Sequence, residues 1–280
     1  MNEQPGDGVA ATAPVPPRYV HRGNDALGAR LEARTASDWA SFLLPYLRPG
    51  MRLLDGGCGP GAITLGLAEV LAPGEVVGVD LQPQVVAQAR TLAAERGVTN
   101  VHFEVADLSH LPFPVASVDA VFCNAVLQYL QEPVAAVREF RRVLRPGGVA
   151  GIAAMDSGSV IHGPATPLLE ELQALSRRAL VHHGGNPFIG RDLRRLLVEA
   201  GFDRASATAT LEHFGTSDET RRYVAALRAF FTGSSRTAVE QGWADETTVA
   251  AILAELQAWG ERPDAFAARS RCEAIGWVDA

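Results

Sequence analysis

Three aspartates and a run of glycines are the residues best placed to do chemistry. The stretch Leu53-Leu54-Asp55-Gly56-Gly57-Cys58-Gly59-Pro60-Gly61 follows a short apolar run and opens a helix-periodic one. Glycines at a strand-to-helix turn let the backbone approach a ligand and supply any positive φ angle. Gly57, Gly59 and Gly61 read G-x-G-x-G, and no third glycine stands where the dinucleotide fingerprint G-x-G-x-x-G places it. Asp55 stands just before these glycines; a carboxylate there repels a pyrophosphate and suits a cationic, amine-bearing ligand. Asp80 ends a second apolar run, 25 residues after Asp55, where an acid accepts hydrogen bonds from ribose hydroxyls. Ala106-Asp107-Leu108 ends a third run; its carboxylate can hold the exocyclic amine of adenine, and its leucine can cover the ring. Asn124 ends a fourth. An acid near an amine, one for a ribose and one for an adenine together describe S-adenosylmethionine.

These residues need a parallel sheet to position them. Arg52–Gly56, Glu75–Val79, Val101–Val105, Val118–Cys123 and Val149–Met155 read as five strands. Between them, Ile63, Leu67, Val70 and Leu71, then Val85, Ala89, Leu92 and Ala93, then Val134, Val137, Phe140 and Leu144 fall at helical spacing. Strands alternating with helices imply right-handed crossovers, and continuous rather than alternating apolar strands imply helices on both sheet faces. Further on, Asp192–Ala200 reads as a helix, Phe202–Thr210 as a sixth strand and Ala265–Ile275 as a seventh. The expected fold is α/β and Rossmann-like, with a seven-stranded, mostly parallel sheet.

Two segments break that rhythm. Residues 157–189 contain a helix over Leu168–Val181, and residues 214–262 contain two more, with the stripe Val249, Ile252, Leu253, Leu256 and Trp259. They follow strands five and six, so a helical cap over one end of the sheet is expected. In this cap Leu168, Leu172, Leu175, Phe188, Phe230 and Phe231 suggest an apolar pocket wall. The division is then a flexible tail at 1–17 and one domain over 18–280. Its core covers about 48–156, 190–213 and 263–280; its cap covers about 157–189 and 214–262. Tyr19 to Leu47 reads as helical up to Pro49-Gly50.

Composition narrows the classes. The net charge of −7 and the absence of basic clusters beyond pairs argue against nucleic-acid binding. All 25 basic residues are Arg, so no Schiff base or phosphate-loop lysine is available. Cys58, Cys123 and Cys272 are widely spaced and odd in number, without zinc-ligand spacing. The acidic, polar start and the lack of a long apolar run point to a cytoplasmic protein without a membrane anchor.

The stretches LLDGGCGPG, VVGVD, VADLSHLPF, VDAVFCNAVLQYL and LRPGG resemble the class I S-adenosylmethionine-dependent methyltransferases, most closely the branch related to ubiquinone/menaquinone biosynthesis. The likeness is close over residues 30–156 and weaker through 186–202 and 273–277. It implies that Asp55 and the backbone of Gly57 and Gly59 hold the methionine part of the cofactor. Asp80 takes the ribose with Leu81 beside the adenine, and Ala106, Asp107 and Leu108 form the adenine site. Asn124 sits close to the sulfonium. Tyr19 and Arg34 fall in the N-terminal region that often closes over the methionine carboxylate. Before Leu53 the chain lacks the segment rich in Asn, Met, His and Trp that quinone methyltransferases carry.

Methyl transfer from a sulfonium needs no metal; it needs the nucleophile within ~3–3.5 Å, in line with the departing sulfur. A hydroxyl or ammonium acceptor also needs a base. Tyr129 after strand four, Asp156 closing strand five and His213 after strand six are the catalytic candidates, with His162, His182 and His183 in the cap. Three readings stand: methylation of a small organic acceptor in bacterial secondary metabolism, at an aromatic or indole-like carbon, an oxygen or a nitrogen; a methyltransferase-like fold that catalyses cyclisation or senses S-adenosylmethionine; and a nicotinamide dehydrogenase, disfavoured by the glycine spacing and Asp55. Monomer and homodimer both remain open.

Overall fold

The first three strands already fix the geometry of the site. β1 (Arg52–Gly56), β2 (Glu75–Asp80) and β3 (Val101–Val105) run parallel, and β4 (Val118–Asn124) returns to the other side of β1. Chain order therefore reverses between β1 and β4, the switch point at which ligands bind in open α/β sheets. In this computed structural model, residues 31–280 are described. β5 (Leu144–Met155) pairs parallel to β4, and β8 (Phe266–Trp277) pairs antiparallel to β5 and to β7 (Arg204–Phe214). The order is β3-β2-β1-β4-β5-β8, with β7 on the far edge of β8.

Alternate residues of the buried strands feed two apolar layers. Leu54, Val77, Val79 and Val121 pack with Val137 and Phe140 of α4 (Pro133–Val143) and with Leu193, Leu196 and Leu197 of α6 (Leu193–Glu199). Leu53, Val76, Ala120 and Phe122 face the other way. They meet Ala36 and, just after it, Ala40 and Leu43 from α1 (Ala36–Trp39) and its following turn, Leu65 and Leu67 of α2 (Ala62–Leu71), and Val86 and Ala89 of α3 (Pro83–Arg96). This two-sided burial is the physical reason the strands read as continuous apolar runs.

The sheet has eight strands rather than seven. The extra one, β6 (Ile161–Gly163), pairs antiparallel with Ala268–Phe266, beyond the stretch of β8 that pairs with β5. Three residues flanked by Gly and Pro carry too little periodicity to announce a strand. β5 begins five residues earlier than its apolar run, because Leu144 pairs with Val118 before a register shift. β7 and β8 pair from Arg204↔Trp277 to Phe214↔Ala267, so β7 runs past Thr210 and overhangs the carboxyl edge of β5. The helical reading of the N-terminal region fails in its described part. Helix stops at Glu32, and Thr35 N-caps the separate four-residue α1 through its hydroxyl.

α5 (Pro167–His182), α7 (Ser217–Glu240) and α8 (Glu246–Gly260) share an apolar cluster of their own. Leu172 and Leu175 of α5, Tyr223 and Phe231 of α7, and Ile252, Leu256 and Trp259 of α8 are buried in it. α7 starts with a reciprocal capping box between Thr216 and Glu219. Among the described residues, no helix is long and apolar enough to cross a membrane.

Candidate active site

A cavity of about 610 Å³ opens over the carboxyl ends of β1, β2 and β4. Arg34, Asp55, Gly57, Gly59, Asp80, Leu81, Ala106, Asp107, Leu108 and Asn124 all line it, as does Tyr129. Tyr19 lies outside the described residues.

The glycine turn shapes the floor. Gly57, Gly59 and Gly61 have φ of +81°, +55° and +89°. A Cβ on Gly57 would stand 2.2 Å from Val126 Cγ2, whereas one on Gly59 would meet nothing within 4 Å. Gly57 thus admits the chain leaving β4, and Gly59 leaves the backbone open toward the cavity. Gly57 and Cys58 donate their amides to Val79 O at 2.8 and 2.9 Å, tying the turn to β2. After Asn124, Ala125 takes a left-handed φ of +59°, a strained conformation that concentrates at functional sites.

Charge is distributed unevenly. Asp55 is only 2% exposed. Burial pushes its carboxyl up to about 7; the Thr64 hydroxyl, donating at 2.6 Å, opposes this, and the nearby Asp80 charge adds to it. Asp80 is also raised by burial, although it accepts amide hydrogen bonds from Gly59 at 3.2 Å and Gln82 at 3.0 Å. Asp107 is exposed and accepts from Ser109 N and Oγ at 2.9 and 2.7 Å. Crowded buried carboxylates with raised proton affinity favour a cationic ligand.

The orphaned atoms fit S-adenosylmethionine. Among the described residues, Asn124 Nδ2 and Gln128 Oε1 are buried without a hydrogen-bond partner, and both residues line the cavity. A buried donor and a buried acceptor left unmade are costly, so a ligand carrying both functions is the natural complement. The open backbone at Gly59 and the strand-end acids supply the rest of the donor set.

The catalytic candidates separate. Tyr129 lines the cavity, and burial raises the proton affinity of its phenol, against a hydrogen bond from Gln128. Asp156 lines the cavity but is spoken for. Burial pushes its proton affinity up, yet two bonds from Arg191 at 2.6 and 2.7 Å and one from Gly158 N at 2.8 Å outweigh this and hold it below the ordinary value. A carboxylate clamped in this way is a weaker base than a free one. His213 is exposed and absent from the cavity wall, because Glu212 and Phe214 on either side take the face toward α7 and β8. His183 does line the cavity and bonds Thr237 Oγ1 at 3.0 Å; His162 bonds Tyr223 Oη at 2.8 Å.

Of the apolar residues expected to wall the pocket, Phe230 does. Leu172, Leu175 and Phe231 are core residues of the three-helix cluster, and Phe188 lies 38% exposed under Arg191. The sequence reading missed Gln128, Tyr223 and Arg269, all of which line the cavity. Arg269 had one available signal: with Arg271 it is one of two long cations in Ala267-Ala268-Arg269-Ser270-Arg271, a stretch otherwise of small residues.

Residues 47–201 match a family model described as "Methyltransferase domain". The chain is 32% identical over 223 residues to the "Uncharacterized methyltransferase C1B3.06c" of Schizosaccharomyces pombe, covering 76% of this chain and 80% of that one. It is 30% identical over 268 residues to the "Probable methyltransferase ltbC" of Aspergillus luteorubrus, covering 88% and 92%. Among solved structures, the YcgJ protein of Bacillus subtilis is similar in fold, with a TM-score of 0.57, 17% identity and coverage of 86% of this chain and 97% of that one.

Proposed function

The chain belongs to the S-adenosylmethionine-dependent methyltransferases, and on that premise we propose that it methylates a small organic acceptor held between the sheet edge and a cap formed by α5, α7 and α8. One observation carries the reading. The cavity over the strand-end acids is continuous with a wall of Leu180 from α5 and Tyr223, Leu227 and Phe230 from α7. A single space therefore offers a polar, acidic half and a largely apolar half.

The bound cofactor supplies an activated methyl group. In the acidic half, Asp55 and the backbone of Gly57 and Gly59 hold the methionine portion, and Arg34 faces its carboxylate. Asp80 takes the ribose hydroxyls. Ala106, Asp107 and Leu108, with Leu81 at the rim, hold the adenine. Asn124 lends its unpaired amide close to the reacting sulfur. A ligand ammonium restores the charged form of Asp55 that burial disfavours. The chain's task is then to position the acceptor in line and to keep water out. Asp156, locked by Arg191, shapes the wall and takes no proton.

The all-arginine basic set and the extended helical cap favour bacterial secondary metabolism as the setting, with an aromatic or indole-like carbon, an oxygen or a nitrogen as the methylated atom. The motif likeness to the ubiquinone/menaquinone branch concerns the cofactor half and does not extend to a quinone acceptor. The test incubates purified protein with methyl-labelled S-adenosylmethionine and a panel of aromatic and heteroaromatic acceptors. Label in an extracted product supports the proposal. Cofactor binding without label transfer to any acceptor would turn the reading toward cyclisation or sensing.

A further inference from the structure

β8 carries two arginines on one face, and they differ in how fully their donors are used. Arg271 is 17% exposed in its side chain. It donates Nε to Glu273 Oε1 at 2.9 Å and Nη1 to Asp38 O at 2.8 Å, and its guanidinium lies 5.3 Å from the Trp39 ring. Arg269 is equally withdrawn, at 16%. It donates Nε to Glu212 Oε2 at 2.7 Å, its register partner on β7. Its guanidinium lies 5.6 Å from the Phe214 ring and 5.8 Å from the Tyr223 ring. Among the described residues nothing accepts from its two Nη groups, and Arg269, unlike Arg271, lines the cavity.

The strand register sets the height of this group. Arg271 stands opposite Met155, the last residue of β5. β8 runs antiparallel, so Arg269 lies two residues beyond the carboxyl edge of the sheet, where the strand-end acids face the same cavity. Of its immediate neighbours only Glu212 is paired with it, and through Nε alone. The Tyr223 hydroxyl is fixed by His162 at 2.8 Å, and burial pushes it up to about 12, so it is neutral. Glu212 is 36% exposed and shares its charge with water. It holds the guanidinium by one edge and leaves the fork of Nη donors free. That fork matches a carboxylate in two parallel hydrogen bonds. Because Arg269 lines the cavity, those donors are open to a ligand that enters it.

We propose that the acceptor is a small carboxylic acid with an apolar, ring-sized body, and that Arg269 anchors its carboxylate while Leu180, Leu227 and Phe230 enclose the body. This rests on the methyltransferase reading above and names the acceptor class for it. The acidic half of the cavity selects a cationic cofactor and the Arg269 end selects an anion. The two bound molecules then attract each other, an effect that a water-poor cavity strengthens.

Calorimetry on protein loaded with S-adenosylhomocysteine tests this without turnover. The titrants are benzoate, salicylate, anthranilate and indole-3-acetate, each alongside its primary amide. We expect at least one acid to bind more than tenfold tighter than its amide. In Arg269→Met that preference falls below threefold, while S-adenosylhomocysteine affinity stays unchanged. In Glu212→Gln, which keeps Arg269 and removes its competitor, the acid binds tighter still; this variant decides the matter if Arg269→Met loses S-adenosylhomocysteine binding. Equal binding of acids and amides, binding of none of the four acids, or a preference that survives in Arg269→Met overturns the inference. Failure of the unaltered protein to bind S-adenosylhomocysteine would instead overturn the proposed function.

Discussion

Gly57→Ala tests the glycine turn at its tightest point. Two costs are expected, and they are separable. The first is backbone: Gly57 sits at φ +81°, and placing an L side chain in the left-handed region costs about 1–2 kcal/mol. The second is contact: the new Cβ would stand 2.2 Å from Val126 Cγ2, 3.1 Å from Cγ1 and 3.2 Å from Cβ. Carbon pairs settle near 3.5–4.0 Å, so Val126 must move. It can do so only by shifting the chain that follows the strained Ala125, and overpacking of this kind costs about 1–3 kcal/mol. The sum is about 2–5 kcal/mol of unfolding free energy, read by urea denaturation. S-adenosylhomocysteine affinity should fall at least tenfold by calorimetry, because the displaced turn carries the Gly59 amide. Repeating the substitution in Val126→Ala removes both γ carbons and leaves only the 3.2 Å Cβ contact, so the cost should fall toward the backbone part, about 1–2 kcal/mol. A Gly57→Ala penalty below about 0.5 kcal/mol, or an identical penalty in both backgrounds, would refute the reasoning.

Four further outcomes are expected. Cofactor affinity should fall about tenfold per pH unit below about 7, because Asp55 must give up its proton to meet a cationic ligand. Calorimetry between pH 5 and 8 checks this, and a flat profile contradicts it. The same raised carboxyl makes a stability contribution that is fully present below its ordinary value of 3.8 and lost as pH rises through about 7. Asp55→Asn should therefore flatten the rise in melting temperature on acidification over that window. Thr64→Val removes the 2.6 Å hydrogen bond that favours the Asp55 anion, so the pH at which cofactor binding sets in should move upward. His213→Ala should leave cofactor affinity and methyl transfer within about twofold of the parent, as expected for an exposed residue outside the cavity; a tenfold loss of turnover would restore it as a candidate.

The strand-end lining of the cavity was legible in the chain because each of its parts is local. Asp55, Asp80, Asp107 and Asn124 announce themselves by ending or following apolar runs, and a parallel sheet brings such ends to one edge whatever the helices do. The wall toward the three helices was not legible, because it depends on pairings across distant elements. Nothing in the sequence places Arg191 against Asp156, 35 residues away, or Glu212 beside Arg269, 57 residues away, and those partners decide which charges remain for a ligand. Alternation along β7 likewise turns His213 outward while its neighbours face in, and a one-residue change of register would have reversed that. In α7 the stripe Tyr223, Leu227 and Phe230 resembles any core face. Only the overhang of β7 and β8 beyond the sheet edge turns part of it toward the cavity.

The proposed grip of strand-end carboxylates on a nucleoside with an amino-acid tail is measured most directly at Asp80. Titrating S-adenosylmethionine into the purified protein and into Asp80→Ala and Asp80→Asn, with circular dichroism as the check on folding, isolates that grip. Saturable binding by the parent chain and at least tenfold weaker binding by both folded variants is the predicted result. No heat with the parent, or equal affinity in all three, would contradict it.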